Sequence, residues 1–344
     1  MKILIASKID PEAMEKLKEN HEVVCAFGAD KETLKSAIQG CDVLIFRSGV
    51  DISGDVMSAA PTLKMLIRGG SGTDNLDMDH INRYGLRLVR VPGPGAKSVA
   101  ELTFALMLAL ARKVVEADRL TRQGHWAKSE MTGYLLMGKT LGILGAGNIG
   151  GFVAHLGVAW GMKVLACVEH PSPERRESFE MAGIELTTRA RIMAEADFIS
   201  VHVPLNSETR NFVDKGEIAL MKKNAYLVNM ARGGVVNEAA LHDALAEGRI
   251  GGAALDVHQA EGEGKVSPLA EFKNVILTPH IGASTFDSQK EIGKIILETM
   301  DAFMAEQRAR EKKQSRSLWI RASFLILALG LGIYGMVRRR KKQL

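Results

Sequence analysis

Three polar side chains in the last third of the chain have the types that a proton transfer on a carboxylate-bearing substrate needs. His280 follows the apolar run Val275–Leu277 in Thr278-Pro279-His280, and an imidazole at a strand end can take up and return a proton in neutral solution. Arg232 opens Arg232-Gly233-Gly234 just after the strand Ala225–Asn229. A guanidinium there can hold a carboxylate through two parallel hydrogen bonds. Glu261 lies in the charged loop Gln259–Gly264 and can orient the imidazole, a role that Glu263 in the same loop could also fill.

Taking a hydroxyl proton completes an oxidation when a hydride leaves the same carbon, which calls for a nicotinamide held at close range. The middle of the chain offers a place for one. Apolar Leu141–Leu144 runs into Gly145-x-Gly147-x-x-Gly150, with Asn148 and Ile149 between the last two glycines, and a helix-compatible stretch Phe152–Trp160 follows. Gly145 permits the tight turn, Gly147 lets the backbone approach a pyrophosphate, and Gly150 lets helix and strand pack closely. The helix start adds N–H donors for the phosphates. An acid that reads the adenosine ribose belongs about 20 residues further on. Glu169 is the acid near that place; Arg175 and Arg176 follow. NAD is the expected cofactor, with NADP as the alternative.

The elements that position these groups read as α/β. From Lys139 to about Pro279, strands (Leu141–Leu144, Lys163–Val168, Phe198–Val203, Ala225–Asn229, Ala253–Val257, Val275–Leu277) alternate with helical segments. Several are continuous apolar runs, as in a doubly wound parallel sheet covered on both faces. Residues 1–90 repeat the pattern with five shorter strands and no phosphate loop. There Arg47-Ser48 follows the third strand and Gly69-Gly70-Ser71-Gly72 the fourth. Gly70 and Ser71 can present N–H groups to a carboxylate, and Arg47 can meet a distal anion such as phosphate. Pro92–Gly95 reads as a hinge, and Ser98 with Glu101 as a capping box opening a helix to Val115. That helix is apolar nearly all round, so it is expected to be central or at a dimer contact.

Of the 344 residues, 46% are apolar and 25% charged, an ordinary globular balance. The net charge of +5 is misleading: eleven Lys/Arg against two Glu follow residue 305, leaving residues 1–305 at about −4. A nucleic-acid-binding body is not indicated. Cys25, Cys41 and Cys167 lack metal-ligand spacing and read as buried, reduced thiols, so no metal is expected.

Beyond the glycine loop, several stretches resemble the D-2-hydroxyacid dehydrogenase family. They are Arg68–Asp77 (RGGSGTDNLD), Ser98–Leu102 (SVAEL), His202–Arg210 (HVPLNSETR), Asn229–Glu238 (NMARGGVVNE), Ala254–Val257 (ALDV) and Thr278–Thr285 (TPHIGAST). They run in the family's order over about residues 1–305. The resemblance implies two Rossmann-like domains around a cleft: residues 1–94 with 286–305 for substrate, and 95–285 for the dinucleotide. It implies Arg232, Glu261 and His280 as the catalytic set. Val203, Pro204, Met230, Ala231, Arg232, Asp256, His280, Gly282, Ala283 and Ser71 join the glycine loop in holding the cofactor, with Asp256 near the nicotinamide amide. It implies a homodimer and a D-2-hydroxy acid exchanged with its 2-keto acid, most similar to members acting on 3-phosphoglycerate in serine biosynthesis. Glyoxylate or hydroxypyruvate reduction is the alternative, and a non-catalytic NAD(H)-sensing scaffold a further one. The chain departs from the pattern at Val168 (usually aspartate), Gly262 (usually proline), Gly95 (often asparagine) and His258 (near a usual aromatic).

The family has no counterpart to the tail. Residues 306–317 read as a charged linker. Leu318–Val337 holds one charge, Arg321, and reads as a single-pass anchor, with basic residues in 338–344. The body would then face the cytoplasm, and a soluble cytoplasmic protein is the alternative.

Overall fold

The computed structural model describes residues 1–313 with their side chains; the segments 318–337 and 338–344, read above as an anchor and a basic end, lie outside the described residues. Residues Met1–Ile292 form one compact unit and Gly293–Leu344 a second. The last helix is Phe286–Arg340, so the charged segment that starts at Glu306 continues a helix.

The first unit holds two parallel sheets. Strands β1 (Lys2–Ile5), β2 (Glu22–Cys25), β3 (Val43–Phe46), β4 (Met65–Arg68) and β5 (Arg87–Arg90) take the order β2-β1-β3-β4-β5. Strands β6 (Thr140–Leu144), β7 (Lys163–Cys167), β8 (Ile184–Leu186), β9 (Phe198–Val201), β10 (Tyr226–Asn229), β11 (Gly252–Leu255) and β12 (Val275–Leu277) take the order β12-β11-β10-β9-β6-β7-β8. The chain reverses its direction of travel beside β1 in one sheet and beside β6 in the other, since β1 pairs with both β2 and β3, and β6 with both β7 and β9. Crevices open at the carboxyl ends of strands at such points. Arg47 follows β3 beside the first; Gly145 follows β6 at the second. Burial explains the continuous apolar strands: Leu141, Ile143 and Val153 pack with Phe104 on one face of the larger sheet, while Ile192, Ile199 and Leu227 pack on the other.

Three local expectations change. The edge strand β8 is three residues with a glutamate in the middle, too short and polar to stand out in sequence. Cys25 is exposed because β2 is itself an edge strand. The helix expected from Ser98 starts at Gly93 and ends at Ala111, without a side-chain cap. Pro94 is tolerated because a first-turn N–H has no helical partner anyway. Ser98 is therefore inside the helix, 8% exposed. Its hydroxyl meets those of Thr285 at 2.8 Å and Ser288 at 2.5 Å, while Ser288 donates to the Pro94 carbonyl at 2.9 Å. Glu101 is exposed and makes no capping box. A left-handed Lys113 (φ 51°) separates off the next helix, Val114–Arg122.

His202, just past β9, has an enclosed ring whose Nε2 lies 2.7 Å from the Ser200 hydroxyl. Burial pushes its pKa down to about 3. The unfolded imidazole titrates near 6.5. As pH falls through that interval the unfolded chain binds a proton that the native ring refuses, so native stability drops. Urea midpoints should therefore fall between pH 6.5 and 4, and His202→Gln should flatten that slope. An unchanged slope would show that His202 does not govern it.

Candidate active site

The glycine turn is built as its spacing demands. Gly145 has φ 92°, and a Cβ there would stand 2.9 Å from the Val203 nitrogen. A Cβ on Gly150 would overlap the Gly145 carbonyl. The space over Gly147 is open to 4 Å, and Gly147 caps the helix Asn148–Ala159. The turn itself hangs on the Cys167 carbonyl, which accepts from Gly145 and Ala146 N–H at 3.1 Å. An open backbone face at a helix start fits a pyrophosphate. Val203 forms the wall over Gly145, with Pro204 exposed beside it.

The ribose end carries an arginine that the spacing did not place there. Glu169 is turned outward, its side chain 79% exposed and 3.9 Å from His170. Arg175, one of the two arginines behind the NADP alternative, folds back across the loop. Its Nη2 donates to the carbonyls of Ala146 (2.5 Å) and Gly147 (2.8 Å), and its guanidinium lies 5.0 Å from the centre of the Phe179 ring. Val168 is packed against the sheet core.

The carboxylate–imidazole pair forms. His280 Nδ1 lies 2.9 Å from Glu261 Oε2, and the His258 N–H donates to Oε1 at 3.1 Å. Burial alone would push the Glu261 carboxyl up; the His280 hydrogen bond and charge, with the His258 N–H, outweigh it and hold it below its usual value. Glu263 takes no part in these contacts. His280 sits at φ 54°, a left-handed conformation that a non-glycine residue keeps only when held. Asp256 does the holding: 2% exposed, it accepts from Thr278 Oγ1 (2.6 Å), Ile281 N (2.9 Å) and Gly282 N (2.8 Å). Both its oxygens are thus engaged with the loop, which makes loop support its visible work.

His280, Asp256 and Arg232 line one crevice with Arg47, Gly70 and Ser71. Ile149, Met230, Gly282 and Ala283 complete its walls, with Ala231 buried beside Met230. Arg47 donates from Nη2 to the Ala283 carbonyl at 3.2 Å, and burial lowers its pKa. Arg232 Nε pairs with both oxygens of Asp74 at 3.0 and 3.1 Å. Two members of this cluster were missed in sequence. Arg68, at the end of β4, is 1% exposed, and its Nε donates to the Gly72 carbonyl. Burial first, then the nearby Arg232, pushes its pKa down to about 10, against the pull of Asp74. Among the described residues Arg68 Nη1 and Arg47 Nε are buried without a hydrogen-bond partner. A charge ending the otherwise apolar strand Met65–Arg68 was the available signal for Arg68; Asp74 had none.

The glycines give a paired test. Gly147→Ala should keep the melting temperature within about 2 °C yet weaken NADH binding about tenfold or more. Gly150→Ala should destabilise the fold by about 1–3 kcal/mol through overpacking. Equal NADH binding by Gly147→Ala and the parent would remove the pyrophosphate assignment.

Residues 104–282 match the family described as D-isomer-specific 2-hydroxyacid dehydrogenase, NAD-binding domain. D-3-phosphoglycerate dehydrogenase of Methanocaldococcus jannaschii is 42% identical over 299 residues, 87% of this chain and 56% of that one. The chain thus spans just over half the length of that relative. Hydroxypyruvate reductase of Thermotoga maritima is 37% identical over 86% of this chain and 96% of its own. The structure of Aquifex aeolicus D-lactate dehydrogenase with NAD and lactic acid superposes with a TM-score of 0.79 at 28% identity, covering 89% of this chain and 96% of that one. With both parallel sheets, the glycine turn and these matches in hand, the chain belongs to the D-isomer-specific 2-hydroxyacid dehydrogenase family.

Proposed function

We propose that this chain interconverts a D-2-hydroxy acid and its 2-keto acid, with 3-phosphoglycerate the favoured substrate. The observation that carries the reading is the His280–Glu261 pair at 2.9 Å, whose imidazole lines a crevice that Arg232 also lines. Glu261 fixes Nδ1, which leaves Nε2 as the ring nitrogen to take the hydroxyl proton in oxidation or return it in reduction. Arg232 holds the carboxylate and polarises the ketone oxygen. NAD, when bound, supplies the hydride-accepting or hydride-donating chemistry. A paired, ionised Glu261 favours the enzymatic reading over a sensing scaffold, because it stabilises the imidazolium as the proton arrives.

Three guanidiniums around one crevice suit an acid with a second anionic group, which supports a phosphorylated substrate over glyoxylate, hydroxypyruvate or D-lactate. The domain division into 1–94 with 286–305, and 95–285, belongs to the same reading. So does a homodimer, which the exposed apolar side chains Trp126, Leu135 and Met137 support. The tail as a membrane anchor rests on sequence alone; extraction of the full chain that needs detergent, where residues 1–305 do not, would bear it out. Arg175 on the glycine loop, with Val168 in the place of the ribose acid, favours a second reading of the cofactor in which NADP is also accepted.

His280→Ala should lower kcat by about 10²–10⁴, and Glu261→Gln by less; survival of the rate in His280→Ala would end this mechanism. Arg47→Gln should raise KM for 3-phosphoglycerate about tenfold and leave KM for glyoxylate within about threefold. Equal effects on both acids would count against a phosphate contact. For the cofactor, thermal shifts with 2′,5′-ADP and with 5′-AMP decide: acceptance of NADP predicts a shift with 2′,5′-ADP that Arg175→Ala abolishes, and a response to 5′-AMP alone restricts the site to NAD.

A further inference from the structure

Arg232 and Asp74 are 158 residues apart in sequence and sit after strands of different sheets, β10 and β4. Arginine side chains are long and freely rotating, so a guanidinium that must meet a substrate carboxylate needs external fixing. Two contacts provide it. Nε pairs with both Asp74 oxygens, and Nη1 donates to the Ala231 carbonyl at 2.7 Å. Together they set the guanidinium plane. Nη2 then rests over Gly72, where a Cβ would overlap it and come within 2.6 Å of Asp74 Oδ1. The bare glycine is what makes room for the pair.

Charge gives Asp74 a second reason to be there. Arg232 shares the crevice with Arg47 and the buried Arg68, and like charges in a low-dielectric site repel. Arg232 is also about a quarter exposed, so solvent is an open exit for its side chain. A carboxylate on its Nε edge opposes both tendencies.

We propose that Asp74 is a positioning residue that aims Arg232 at the reacting carboxylate and holds it against the repulsion of its neighbours. The inference rests on the role given to Arg232 above. A contact made through Arg232 should appear in the transition state more than in the ground state. Removing the Asp74 charge leaves the crevice more positive, so anions still bind while the rate falls.

The test is steady-state kinetics on the full chain with the fastest acid among 3-phosphoglycerate, hydroxypyruvate, glyoxylate and D-lactate. Asp74→Asn should lower kcat about tenfold or more while KM for the acid moves less than about threefold. Asp74→Glu should recover at least about a third of the parental kcat. Arg232→Ala, made in the Asp74→Asn background, should give no further loss than Arg232→Ala alone. NADH affinity should stay unchanged in Asp74→Asn and Asp74→Glu, which a general structural defect would not allow. Should Asp74→Asn fail to fold, Gly72→Ala keeps the Asp74 charge but wedges its Cβ between Asp74 and Arg232, and the same loss of kcat is expected. A parental kcat in Asp74→Asn, a loss carried by KM alone, or additive losses with Arg232→Ala would overturn the inference. Tighter acid binding with undiminished kcat would instead make Asp74 a competitor for Arg232, which also overturns it. Full activity in Arg232→Ala would sink the role of Arg232 itself, a result distinct from any of these.

Discussion

One buried carboxylate decides where the proton-transferring group can be. Asp256, at the end of β11, accepts a hydroxyl and two N–H groups from the segment 278–282, and that segment carries His280 in a left-handed conformation. A hydrogen bond to a charged group contributes about 1.5–3 kcal/mol, so three are ample to hold a backbone strained by about 1–3 kcal/mol. The imidazole is consequently presented by a rigid strand end, with Glu261 needed only to orient the ring. His258 strengthens the arrangement from a second side: its Nε2 lies 2.9 Å from the Thr278 carbonyl, and its N–H holds Glu261.

The opposite wall of the crevice follows a different constraint, an excess of positive charge. Arg47 and Arg68 are largely withdrawn from water, and burial lowers the pKa of both. Each keeps a buried donor without a partner. Buried, unpaired donors on a cation are expensive, and a structure retains them where a ligand completes them. The glycines between β4 and Asp74 serve this wall: Gly69 packs beside the Arg47 stem, and the Gly72 carbonyl receives Arg68. The site is therefore built from Arg47 and Arg68 on one sheet and, on the other, a proton-handling pair with Arg232 beside it.

Much of this was legible in the sequence. Continuous apolar strands, the glycine spacing and the Arg, Glu and His in separate motifs each reflect a local requirement, and local requirements leave a local trace. The glycine turn is the clearest instance: the same three residues that sequence assigns to turn, approach and packing are the ones whose Cβ would clash, or meet open space, as each role demands. What stayed hidden depended on distant partners. Ser98 has the composition of an N-cap, yet its hydroxyl goes to Thr285 and Ser288, almost 190 residues away in sequence. Asp74 looks like any loop aspartate until Arg232 arrives beside it. Glu169 stands at the spacing of a ribose acid, but nothing in that spacing could say that Arg175 would lie over the loop.

The hydroxyl cluster of Ser98, Thr285 and Ser288 has a mechanical corollary. The chain passes from the smaller sheet to the larger through the helix that begins at Gly93, and comes back to lay Ile292 against Gly69. These two crossings are stapled to each other at a single point, close to the Pro94 carbonyl. Two tethers fastened together resist sliding past one another. That fastening ties the helix leaving the smaller sheet to the segment returning to it.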